Sequence, residues 1–92
     1  MRPYRMMWYQ TWPYWAYFYT GRYQDVINLA NTTLLETISK PVLEESFYWR
    51  GLAREALGET QGAIDDMRQA IQINENFTPA WQQLQRMTGG GG

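Results

Sequence analysis

Residues 44–81 read EESFYWRGLAREALGETQGAIDDMRQAIQINENFTPAW, and this stretch decides the fold. Phe47-x-x-x-Gly51-x-Ala53-x-x-x-Leu57 has helical spacing and stops at Gly58. Glycine ends a helix cheaply because it enters the left-handed region without strain. Ala63-Ile64-x-x-Met67-x-x-Ala70-Ile71 then lays down a second apolar stripe at three- and four-residue steps. Thr78-Pro79-Ala80-Trp81 restarts the first pattern, thirty-four residues after Phe47. The expected order is helix from about Val42 to Leu57, turn, helix from Gln61 to Ile73, turn at Asn74–Phe77, and helix to about Met87. Thr60 and Thr78 are the expected caps, and Glu44 and Glu45 the acids near a helix start.

Before this stretch the pattern is weaker. Ser39-Lys40-Pro41 breaks the chain, since proline disfavours a helical residue before it and suits a first turn. Val26, Ile27, Ala30, Leu34 and Ile38 form one apolar face of an expected helix over Tyr23–Ile38. Asn31, Thr32 and Thr33 are weak helix formers, so packing must hold its middle. Gly21 ends a preceding helix over Pro13–Thr20. Residues 4–12, which carry Tyr4, Trp8, Tyr9 and Trp12, read as helical or extended. No segment alternates with period two, so the fold class is all-α, about five helices in antiparallel pairs.

The thirty-four-residue period and its small residues resemble the tetratricopeptide repeat. In that reading Gly51 and Ala63 are the small contacts where paired helices cross, and Ala70 is the contact with the next helix. Phe47, Leu57, Met67 and Trp81 fill the gaps beside them. A glycine inside a helix costs about 1 kcal/mol against alanine, so Gly51 implies that a side chain there would clash. The resemblance covers about two and a half repeats of a short α-solenoid. It implies one domain over 1–88, with an aromatic segment at 1–12 and a diverged repeat at 13–40. A well-matched repeat at 41–77 and a capping helix at 78–88 follow. The first repeat departs from the family: Tyr14 stands where a small residue is usual, and Gly21 and Gly58 are three residues too far apart. Residues 44–58 are more distantly similar to repeats appended to bacterial envelope peptidase-like proteins, a likeness that assigns no compartment.

The family's first helices line a concave groove that holds peptides or helices. On this chain the resemblance places Trp8, Trp15, Phe18, Tyr19, Glu45, Tyr48, Leu52, Glu55, Gln82 and Arg86 there as partner-binding residues. One subclass clamps a terminal carboxylate with Lys, Arg and Asn. Here those places hold mostly Tyr, Trp, Glu and Leu, so the groove would be aromatic and mildly acidic.

Composition narrows the function. The chain has 92 residues, a net charge of −1, and neither cysteine nor histidine. That removes disulfides, thiolate sites and the commonest general base, and gives no electrostatic case for nucleic acid. No apolar run reaches the roughly 20 residues of a membrane span, and the N-terminus lacks the pattern of a signal peptide. Asp65-Asp66 reads as a solvated pair and Trp49 as packing. Glu45 and Glu55 lie too far apart along one helix for a glycosidase pair. No catalytic, cofactor or metal site is expected. The expected function is a non-enzymatic module that binds a peptide or protein segment. The alternative is a structural or designed scaffold that self-associates, as a homodimer, through its N-terminal aromatics. Most of Trp8, Trp12, Trp15, Tyr17 and Phe18 are expected to be substantially buried. Residues 89–92 are all glycine and resemble a flexible linker, compatible with an engineered chain.

Overall fold

The computed structural model describes residues 14–36 and 40–89, with only the backbone at 40 and 41. Residues 14–19 are helical and form α1. They are followed by α2 (Tyr23–Glu36), α3 (Lys40–Ala56), α4 (Thr60–Ile73) and α5 (Thr78–Met87). No strand occurs among the described residues. The chain is all-α, and α3 packs against both α2 and α4, with α5 against α4. Short connections make these neighbours antiparallel.

Two glycine turns set the first and third connections. Gly21 has φ +80° and Gly58 φ +90°. Arg22 N–H reaches Tyr17 O at 2.8 Å and Gly21 N–H reaches Phe18 O at 3.1 Å. Glu59 N–H to Arg54 O at 2.8 Å and Gly58 N–H to Glu55 O at 2.9 Å repeat the pattern. Each turn closes carbonyls that the helix end would leave open. The second turn explains a correction at α4. Thr60 is already helical, and Glu59 holds the cap position without a side-chain bond. Its N–H is committed to the preceding helix, so one residue serves both ends. At α5 the cap is Phe77 rather than Thr78, again without a side-chain bond. There Asn74 organises the turn: its carbonyl accepts Phe77 N–H and its side-chain oxygen accepts Asn76 N–H, both at 3.0 Å. Helix α3 begins at Lys40, so Glu44 and Glu45 lie past its first turn. Glu44 is buried and accepts from Asn74 Nδ2 at 2.9 Å, tying α3 to the α4–α5 turn.

The core has two apolar clusters. Tyr14, Val26, Ile27, Ala30 and Ala53 form one, and Leu52, Met67, Ala70 and Ala80 the other. Phe18 and Trp49 pack against both and join them. Gly51 meets α4 as expected. A Cβ added there would stand 3.2 Å from Ala63 O, 3.2 Å from Asp66 Cβ and 3.0 Å from Met67 Cε.

Two expectations about burial fail. Asp66 is only 2% exposed, not solvated. It accepts from Arg50 Nε and Nη2 at 3.0 and 2.7 Å and from Arg54 Nη1 at 3.1 Å. Arg50 also donates to Asn31 at 2.7 Å, so one guanidinium links α2, α3 and α4. This is how the weak middle of α2 is held. Leu57 and Trp81 are each 45% exposed, not gap fillers. Leu57 lies past the last turn of α3. Trp81 has no later described helix over it, and its indole donates to Glu75 O at 2.7 Å. Trp15 is 52% exposed, while Tyr17 and Phe18 are half-buried. Trp8 and Trp12 lie outside the described residues.

Candidate functional site

The face built from α1, α3 and α5 carries a continuous series of rings. Trp15 and Tyr19 lie one turn apart on α1, with centroids 5.4 Å apart. Tyr19 meets Trp49 of α3 edge-on at 6.1 Å. Trp49 meets Tyr48 at 5.4 Å, and Tyr48 meets Phe77 at 5.5 Å. Phe18 supports the series from below, 5.2 Å from Tyr19 and 5.6 Å from Trp49. Edge-to-face rings at these distances hold one another in place. Tyr19 nevertheless leaves 65% of its surface in solvent.

Polar groups line the α3–α5 side. Arg86 grips Glu55 with Nη1 at 2.8 Å and Nη2 at 2.5 Å, and its Nε donates to Gln83 Oε1 at 2.8 Å. Gln83 also hydrogen-bonds the Tyr48 hydroxyl. Burial raises the Tyr48 pKa, and that hydrogen bond offsets part of the rise. Glu45 accepts a hydrogen bond from the Trp49 side chain, one helical turn on. Burial raises the Glu45 pKa above its ordinary value and repulsion from Glu44 raises it further, while the Trp49 bond pulls it down. None of the ion pairs among the described residues reaches Glu45.

No protein-family model matches the chain, and no curated protein matches it either.

The residues read as partner-binding therefore fall into three groups. Trp15, Phe18, Tyr19, Glu45, Tyr48, Glu55 and Arg86 are linked on one face. Leu52 is buried in the second core cluster with Met67, Ala70 and Ala80. Gln82 is exposed on α5, and Trp8 lies outside the described residues. Two members were not foreseen. Trp49 was read as packing and does pack on both core clusters; that it also joins α1 to Tyr48 and to Glu45 was not foreseen, and its i, i+4 spacing from Glu45 was the available signal. Gln83 carried no signal, because its role depends on where α5 lands beside α3. Among the described residues no group of three or more acidic side chains is placed to hold a metal ion, and no helix is long and apolar enough to cross a membrane.

Proposed function

We propose that this chain is a non-enzymatic helical-repeat module, similar to tetratricopeptide repeats, that holds a protein segment against the α1–α3–α5 face. The ring series carries this reading. Trp15 and Tyr19 present large apolar area next to fixed hydrogen-bonding groups, the mixture that enriches protein interfaces. Glycine turns at Gly21 and Gly58 and the close crossing at Gly51 support the repeat assignment. Binding of an array of short extended peptides, measured with the intact chain and with Trp15→Ala and Tyr19→Ala, tests it. Loss of binding in both variants is expected. Peptide binding that both variants retain in full moves the site off this face.

The same exposed rings support the second reading, a scaffold that joins two copies of itself. A concentration series in light scattering separates them. Mass that doubles with concentration, and stays single in Tyr19→Ala, favours self-association.

A further inference from the structure

Glu45 is a polar feature of this face that packing does not explain. It is a half-buried carboxylate with a like charge next to it at Glu44 and no cationic partner among the described residues. Other acids near this face are accommodated. Glu55 has Arg86, and Glu44 has the Asn74 amide. Glu45 has one indole N–H, and Trp49 is bounded by the rings of Tyr19 and Tyr48. The Tyr48 hydroxyl lies within electrostatic reach of both Tyr19 and Glu45. A carboxylate beside ring faces suits a cation: the charge meets the carboxylate and the flat guanidinium or alkyl stem lies on a ring. Groups at functional sites are often held at a cost to stability in this way.

We infer that Glu45, with the rings of Tyr19, Trp49 and Tyr48, is a subsite for an arginine or lysine side chain of the bound segment. This rests on the proposed face being a binding surface and specifies the partner's chemistry. The like-charge neighbour Glu44 adds to the attraction. Arg86 is held by Glu55 and Gln83, which leaves Glu45 free of it and keeps that cation from competing.

The probe is a peptide array in which one central position carries arginine, lysine, citrulline, leucine or glutamate in otherwise matched extended sequences. Citrulline keeps the shape of arginine and removes the charge. The expected result is a preference of about tenfold for arginine over citrulline. Glu45→Gln should erase that preference while keeping the binding of leucine peptides. Tyr19→Leu should weaken arginine peptides and leave a residual charge preference. Glu45→Gln removes a destabilised charge, so folding should persist, as circular dichroism would verify. Peptides that bind without regard to the central charge overturn the subsite and leave the face standing. A charge preference that Glu45→Gln retains assigns it to another residue and also overturns the subsite. No binding of any peptide class overturns both readings.

Discussion

The two helical hairpins, α1–α2 and α3–α4, begin from the same turn and reach different crossings. Both turns use a glycine with positive φ and the same pair of backbone bonds. Counted back from those glycines, Tyr14 stands where Gly51 stands. In α3–α4 the glycine lets the α4 backbone come so near that a Cβ at residue 51 would stand 3.2 Å from Ala63 O. In α1–α2 a phenol occupies that place. It is 1% exposed, and its hydroxyl meets Ser46 Oγ of α3 at 2.7 Å. Counted forward, Leu29 stands where Asp66 stands, so the first hairpin has an apolar residue where the second has an ion-pair hub. The turn thus fixes the direction of the chain and leaves the crossing to residue volume. One hairpin is closed by a small residue and locked by charge. The other is propped by a ring and fastened to its neighbour.

Removing the charge lock should have the largest effect. Asp66→Ala leaves two guanidinium groups, both largely covered, without their carboxylate. A loss of about 3 kcal/mol is expected in urea unfolding. Asp65→Ala, one residue away and exposed, should change little; equal effects would refute the distinction.

Next is the crossing. Gly51→Leu should cost about 1–3 kcal/mol, because the Ala63 carbonyl cannot move aside as the Met67 side chain can. Gly51→Ala separates the terms: its gain in helix propensity, about 1 kcal/mol, opposes a tight contact and should nearly cancel it. A midpoint unchanged in Gly51→Leu would show that the crossing is not close.

Tyr14→Phe keeps the ring and removes the fastening, leaving the fully buried Ser46 hydroxyl without its partner. A loss of about 1 kcal/mol is expected from thermal unfolding. No loss would mean that the ring alone props the first hairpin.

The smallest effect concerns Glu45. Its folded pKa is raised from 4.5, so the folded state binds its proton more tightly than the unfolded state. Stability from this group is present below the ordinary value and is lost as pH rises through the raised one. Glu45→Gln should therefore melt higher than the parent at neutral pH, with the gap closing below about pH 4. A gap that widens in acid would reverse the assignment.

Sequence alone determined the helices, because their cause is local. Three- and four-residue spacing, glycine at Gly21 and Gly58, and proline at Pro79 act within a few residues of themselves; Pro41 was read as keeping Lys40 out of the helix, yet α3 begins at Lys40. Gly51 was legible too, since glycine in a helix interior carries a cost that only a close neighbour explains. Boundaries were less so: Thr60 and Thr78 look like caps, but the backbone groups they would serve were already bonded. The site was half legible. The repeat resemblance put Tyr19, Glu45, Tyr48 and Glu55 on one face, and the α1–α3–α5 face carries all four. Only tertiary structure decided that Asp66 and not Asp65 is buried, that Trp49 joins the ring series, that Gln83 and Arg86 meet Tyr48 and Glu55, and that none of the ion pairs among the described residues reaches Glu45. Each of these depends on which side chains a neighbouring helix brings into contact, and no spacing along one helix contains that distance.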